Sequence, residues 1–422
     1  MTKLNRWVKL ALTGVLILSG LLVGLGIVEI GLRIAGIEYN TFYTVDQHRG
    51  WVLRPLVSGW YRSEGESYVQ INSDGFSDRE HTKVKPENTL RIALLGDSFV
   101  EALQVPLEQG FAAVIERELS SCQTLAGQKV EVIKFGVSGY GTAQELITLR
   151  EKAWKYSPDI VLLAFFTGND LINYFRIITK MTSKLNSFRE LNPRPYFVFQ
   201  DGHLVFDASY VNTDTYRSKV SWWNQAYIKI EDNSRILQVL HQGKYGFGNL
   251  LSQFFKQAAK QSSNVQHEQN FQMFIRTDDI YKPPTDPDWQ QAWQVTEGII
   301  SLMHDEVIAK KADFAVVTLS DPLAVYPDPS VRQKFLQASG RTDLFYPEKR
   351  IGDLGEREGF SVLNLGPTFQ AYAEQNHVCL HGFDNAVPCG EHWNALGHQL
   401  AGKMIASKLC EKLPSIATNQ VQ

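Results

Sequence analysis

The chain has 422 residues, 44% of them hydrophobic and 21% charged, with a formal net charge of -3. This is an ordinary globular composition without basic excess, which excludes nucleic acid as an expected partner. The length suits one large domain carrying insertions, or two domains.

Lys3, Arg6 and Lys9 precede an uncharged apolar run from Leu10 to Val28, closed by Glu29 and Arg33. A run of that size spans a bilayer's hydrocarbon core as a helix. Basic residues on its N-terminal side place residues 1–9 in the cytoplasm and the rest of the chain outside, in the periplasm or beyond. The run is long for a cleavable signal peptide and no Ala-x-Ala-like site follows, so residues 10–32 read as an uncleaved anchor. The four cysteines fit an oxidising compartment. Cys379 and Cys389 bracket a Gly/Pro-containing loop, and Cys122 and Cys410 sit near the ends of predicted helices. The first expectation is therefore bridges 379–389 and 122–410, with four unpaired thiols as the alternative. No CxxC or His-x-His spacing suggests a metal.

Residues 37–89 are rich in Gly, Ser, Tyr and charge, and read as a leader tying the anchor to the main domain. Within them, Ser67 to Asn72 alternates like an edge strand and Ser73 to Phe76 is a turn. A βα rhythm starts at Leu90. The predicted strands are 90–96, Val130 to Val137, Ile160 to Phe166, Ala312 to Leu319 and Ser361 to Leu365. Predicted helices run from Pro106 to Leu119, Ala143 to Tyr156, Trp293 to Lys310, Val331 to Ala338, Gly352 to Glu358 and up to about Leu413. Residues 179–292 interrupt the rhythm with an aromatic-rich insertion. It holds a hairpin around Asp201-Gly202 and a helical stretch near Ile236 to Gln257. The main domain then occupies 90–178 and 293–413, and 414–422 is a loose polar tail. Buried strands that each end in a Gly-containing polar turn imply a doubly wound α/β fold. In such sheets the site lies at the carboxyl ends of the strands.

Four of those ends offer chemistry. Ser98 follows the first strand at a sharp break, where a hydroxyl clears the sheet and can attack. His392 can take its proton, while the Gly139 N–H and the Asn169 amide can donate to an oxyanion. Each has a plainer reading. Gly139 permits a tight turn, Asn169 caps a helix, His392 is a loop histidine, and His398 sits in a helical slot suited to packing.

Taken together and in order, Gly96-Asp97-Ser98-Phe99, Gly136-Val-Ser-Gly139-Tyr-Gly-Thr142, Gly168-Asn169-Asp170 and His392-Trp-Asn394-Ala-Leu-Gly397-His398 resemble the four blocks of the SGNH (GDSL-type) hydrolases. The resemblance runs from about Arg91 to Leu413, broken by the insertion. It is nearest to membrane-anchored bacterial members, with an Asn-Ser-Asp-Gly-Phe-type segment at 72–76. It implies a flavodoxin-like three-layer α/β/α fold with a five-stranded parallel sheet. It implies Ser98 as nucleophile, His392 as base, and the Ser98 N–H, Gly139 and Asn169 as the oxyanion hole. Ester hydrolysis or acyl transfer without metal or cofactor follows. Such a chain would be an esterase of O-acyl, above all O-acetyl, groups on an envelope polysaccharide. The alternatives are an O-acyltransferase of such a glycan, or a catalytically weak glycan-binding or assembly protein. The family's acid, three or two residues before the histidine, is missing here: those places hold Cys389 and Gly390. Glu391 and Asp384 on the same loop are the candidates for it, and a Ser–His dyad is the alternative.

Overall fold

The computed structural model describes residues 2–125, 127–168, 170–171, 194–241, 243 and 278–419. The chain divides into two compact units, one of residues 1–41 with 219–263, the other of 42–218 with 264–422.

In the first unit, α1 (Thr2–Ile34) is a single helix. Its stretch from Trp7 to Ile34 has 28 residues, reaches a mean hydropathy of 2.4 over 18 of them, and is long and apolar enough to cross a bilayer. α5 (Trp222–Asp232) starts behind the cap Ser221, whose hydroxyl accepts the Asn224 N–H. A further helix begins at Arg235, and the expected helix to Gln257 is described only as far as residue 241 and at 243.

The second unit opens with two antiparallel hairpins, whose last strand is the edge strand expected from Ser67 to Asn72; the rest of the segment was expected as a leader. β1 (Tyr43–Asp46) pairs with β2 (Gly50–Leu53), and β3 (Ser58–Tyr61) with β4 (Ser67–Gln70). Asn72 closes the following turn by accepting the N–H groups of Asp74 and Phe76, which drops Phe76 onto Phe135 at 5.0 Å. The parallel sheet comprises β5 (Thr89–Gly96), β6 (Lys129–Gly136), β7 (Ile160–Phe166), β10 (Asp313–Leu319) and β11 (Ser361–Asn364). Between them the insertion supplies the expected hairpin, β8 (Tyr196–Gln200) and β9 (His203–Asp207). Across the sheet the order is β11-β10-β7-β5-β6, the flavodoxin-like order, so the connections reverse between β5 and β7.

Successive strand residues face opposite layers. Ala93, Leu95, Leu163 and Phe165 meet α4 (Thr142–Glu151), α6 (Pro287–Ala309) and α8 (Tyr346–Glu358). Ile92, Leu94, Leu162 and Ala164 meet α3 (Phe111–Leu119), α9 (Gly366–Asn376) and α10 (Ala395–Asn419). The last helix thus runs beyond the expected end near Leu413. Similarly, α7 (Pro329–Ser339) and α8 begin earlier than predicted, because proline stands in their first turns. The predicted helix to Tyr156 ends as α at Glu151 and continues as a 3-10 turn from Ala153.

Among the described residues two cations lie buried in the sheet, Arg91 on β5 and Lys134 on β6. Arg91 on β5 is fully buried, and its guanidinium donates to Glu131 at 2.8 Å, to the Tyr156 carbonyl at 2.7 Å and to the Thr82 carbonyl at 2.8 Å. It thereby ties the linker after the hairpins to the start of β5. Both expected bridges are present, Cys122–Cys410 from the turn after α3 to α10 and Cys379–Cys389 across the loop that precedes His392.

Candidate active site

β5 and β6 end side by side at Gly96 and Gly136, and a Cβ at either position would collide with the Val100 side chain in the turn that follows β5. A Cβ on Gly136 would stand 2.5 Å from the Glu101 N–H and the Val100 side chain, so the chain turning out of β5 lies directly on β6. The turn is α2 (Ser98–Glu101), capped by Asp97, whose carboxylate accepts the Phe99 N–H at 2.9 Å. This sets Ser98 in the first turn with its own N–H unbonded among the described residues.

The Ser98 hydroxyl lies 2.7 Å from His392 Nε2. On the other side of the ring, His392 Nδ1 is hydrogen-bonded to Glu64, and the same carboxylate accepts the His392 backbone N–H at 2.9 Å. The acid facing the histidine is therefore neither Glu391 nor Asp384. Glu391 sits at φ 57° and uses its carbonyl to accept from His381 Nδ1 at 2.8 Å, while its carboxyl lies beside Glu64. Asp384 is exposed. Burial pushes the His392 imidazole down, but the Glu64 hydrogen bond and charge more than reverse it, leaving the pKa above the ordinary 6.5. Burial, and then Glu64, push the Glu391 carboxyl up.

Glu64 is 3% exposed and sits at the tip of the β3–β4 hairpin. Gly65 beside it has φ +65°, and a Cβ there would collide with the Gln104 carbonyl and stand 2.9 Å from the Phe383 ring. Asn385 clamps the tip to the histidine loop: its side chain accepts the Gly65 N–H at 2.8 Å and donates to the Gly65 carbonyl at 2.9 Å. On the loop's far side Trp393 packs under Phe99 and Phe111, with ring centroids 4.9 and 5.6 Å away. His398 is buried, as expected, with its Nδ1 accepting the Phe111 N–H at 3.3 Å and its pKa pushed down to about 3 by burial.

The β1–β2 hairpin braces the second block. Trp51 Nε1 donates to the Ser138 carbonyl at 2.9 Å, and the Tyr140 hydroxyl donates to the Trp51 carbonyl at 2.7 Å. Gly139 between them has φ +75°. Glu101 accepts from the Tyr43 hydroxyl at 2.9 Å and from Ser138. Burial pushes its carboxyl up to about 7, although those bonds and His392 pull the other way. Asp170 closes the third block and accepts the Phe166 N–H at 2.7 Å; Asn169 itself lies outside the described residues. Asp170 and Glu145 are fully buried. Burial and then the charge of Asp97 hold the Glu145 pKa well above the usual range; burial, then Glu145 and Asp97, do the same for Asp170.

Of the residues expected at the site, the structure thus brings Ser98 and His392 together and adds Glu64, which sequence reasoning missed. A serine hydroxyl bonded to an imidazole, itself oriented by a buried carboxylate, can be deprotonated as it attacks an acyl carbon. Among the described residues, Glu64, Glu391 and His392 also bring metal-ligand-type atoms within 4.8 Å of one another. Both His392 nitrogens are engaged, however, one by Ser98 and the other by Glu64.

No protein-family model and no curated protein matches this chain. Several solved structures are similar to it at low identity. The acetyl xylan esterase AlAXEase is 12% identical, with 75% of this chain and 99% of that one covered at a TM-score of 0.35. A variant of the acetylxylan esterase Axe2 from Geobacillus stearothermophilus is 9% identical, with 78% and 96% covered at 0.36. An acylhydrolase described as putative, from Bacteroides fragilis, is 11% identical, with 76% and 87% covered at 0.31. Likeness at this level says nothing of activity, which has to be argued from the side chains of this chain.

Proposed function

We propose that this chain is an SGNH-type serine ester hydrolase, held at a membrane by α1, which removes O-acyl groups from an envelope polysaccharide. The observation that carries the proposal is the continuous hydrogen-bonded line from Ser98 through His392 to Glu64. In the proposed reaction His392 Nε2 takes the Ser98 proton as Oγ bonds to the acyl carbon, and the resulting imidazolium faces the Glu64 carboxylate. The negative charge that develops on the carbonyl oxygen is held by the Ser98 N–H, the Gly139 N–H and the Asn169 amide. His392 then returns the proton to the departing sugar oxygen, leaving an acyl-serine. Water, deprotonated by the same histidine, releases the acid and restores Ser98. The outward orientation is supported by the basic residues before the span and by the two bridges, which suit an oxidising compartment. An anchored domain works on polymers near the membrane, and this favours an envelope glycan as substrate.

The test is turnover of p-nitrophenyl acetate, and of acetylated glycan, by the full-length protein in detergent. Acetate release by wild type and none by Ser98→Ala is expected. Equal rates in the two would overturn the proposal, and acetate appearing on an added glycan would reassign it as a transferase.

A further inference from the structure

The first unit contains a helix built inside out. On α5 the buried position is the carboxylate of Glu231, 5% exposed, whereas Trp222, Trp223, Tyr227 and Ile230 are 64, 69, 45 and 59% exposed. Trp223, Tyr227 and Ile230 are spaced four and three residues apart and so share one face of the helix, with Trp222 beside it. Leu240, in the turn of helix that follows, adds another apolar side chain at 63% exposure. Removing these groups from water would be favourable by about 25 cal/mol per Å², so a surface of this kind is unusual unless something apolar meets it.

What meets it follows from how the helix is tethered. The Arg33 guanidinium of α1 donates to the carbonyl of Asn233, the residue that caps the end of α5, at 2.7 Å. The Glu29 carboxylate accepts the N–H groups of Arg235 and Ile236 at 2.9 and 3.0 Å and the Ser234 hydroxyl at 3.3 Å. The Arg235 guanidinium pairs with Glu38 at 2.9 Å. α5 is therefore bonded to the outer end of α1, at the two charges that close the apolar run. The uncharged run from Leu10 to Val28 is ~29 Å long at about 1.5 Å per residue, against a hydrocarbon core of about 30 Å, so Glu29 and Arg33 fall just beyond its outer edge, at headgroup depth. Tryptophan and tyrosine are the side chains that favour this depth, where the ring leaves water and the N–H or O–H keeps a partner.

We propose that α5 is an interfacial helix, with Trp222, Trp223, Tyr227 and Ile230 seated among the headgroups and first acyl carbons of the outer leaflet. α1 and α5 then form a two-point membrane foot instead of a single swivelling anchor. The inference rests on the reading of α1 as a membrane span.

Site-directed spin labelling separates the two. The chain has no free cysteine, so an introduced one is labelled alone. The full-length protein carrying Trp223→Cys, Tyr227→Cys or Ile230→Cys is reconstituted into phosphatidylcholine–phosphatidylglycerol vesicles, with Leu18→Cys in α1 and Val84→Cys in the second unit as references. Oxygen, which concentrates in lipid, is expected to relax labels 223, 227 and 230 several-fold more effectively, relative to a water-soluble nickel complex, than label 84. Ratios equal to that at 84, with Leu18 still lipid-immersed, overturn the interfacial helix alone. A Leu18 label in water overturns the span as well. Labels on α5 shielded from both reagents would mean that protein covers the face, which also overturns the proposal. As a check without cysteines, Trp222→Phe with Trp223→Phe should remove part of the tryptophan emission quenched by brominated lipid; an unchanged quenched fraction would count against it.

Discussion

Replacing Glu64 by glutamine keeps the shape of the side chain and removes its charge. In the native chain one carboxylate accepts two donors from His392, the backbone N–H at 2.9 Å and Nδ1–H. An amide has one oxygen and one NH2 group, so it cannot accept both. If its NH2 faces Nδ1, that nitrogen must act as acceptor, and the ring proton moves to Nε2, where it points at Ser98 and blocks proton transfer. If its oxygen faces Nδ1, the backbone N–H loses its partner and the imidazolium loses its counter-charge in a site where His392 is largely buried. Loss of the equivalent acid elsewhere costs about 10⁴-fold in kcat, and a cost of about 10³–10⁴-fold corresponds to ~4–5 kcal/mol of transition-state stabilisation. Glu64→Gln should therefore lower kcat/KM for p-nitrophenyl acetate by about 10³–10⁴-fold with little change in Tm. The pH profile gives a second readout. His392 acts as base only when neutral, and Glu64 is what holds its pKa above 6.5, so the acid limb should move to lower pH in the variant. Glu391→Gln and Asp384→Asn should stay within a few-fold of wild type. If either of these abolishes turnover while Glu64→Gln does not, the assignment of the acid is wrong.

Three further outcomes follow from neighbouring groups. Gly65→Ala, which forces a side chain against Gln104 and Phe383 at positive φ, should shift the hairpin tip and cost about 10–100-fold in kcat/KM with KM little changed; full activity would show that the tip does not position Glu64. Glu145 has its pKa raised well above 4.5 by burial and then by Asp97, so the folded state keeps a proton that the unfolded state releases. Its contribution is most favourable below about pH 4.5 and is lost progressively as pH rises towards the folded-state value. Glu145→Gln should therefore flatten the fall in Tm between about pH 5 and about pH 8, and an unchanged slope would contradict a protonated Glu145. The Cys122–Cys410 bridge joins residues 288 apart, and replacing both by serine should destabilise by about 3–5 kcal/mol; an equal Tm would show that the bridge contributes nothing.

The sheet was legible because its strands are largely buried and rich in apolar residues, interrupted by Arg91, Glu131 and Lys134, and end at Gly96, Gly136 and Phe166. The β8–β9 turn announced itself through Asp201-Gly202, and the cysteine pairs through helix ends and a short loop. Ser98 and His392 were legible as polar breaks at strand ends. Glu64 was not. It meets His392 across 328 residues of sequence, on a hairpin whose strands have four residues each, and neither periodicity nor spacing links the two. The local hint was Gly65 after a buried acid at a hairpin tip, and that pattern is indistinguishable from an ordinary turn until Gln104 and Phe383 are seen above it. For the same reason residues 37–89 read as a tether. In the fold they hold Glu64 against the histidine and Trp51 against the Ser138–Gly139 turn. The early starts of α7 and α8 were missed because Pro329 and Pro347 look like breaks, although proline in a first turn costs no hydrogen bond.

The central claim is that Ser98 carries the acyl group between donor and water. Rapid acid quench of the full-length protein during p-nitrophenyl acetate turnover, followed by peptide mass mapping, addresses it directly. An acetyl group on Ser98, absent in Ser98→Ala and accumulating far more slowly in Glu64→Gln, is the predicted result. Turnover with no acetyl on Ser98, or with the label on another residue, would contradict it.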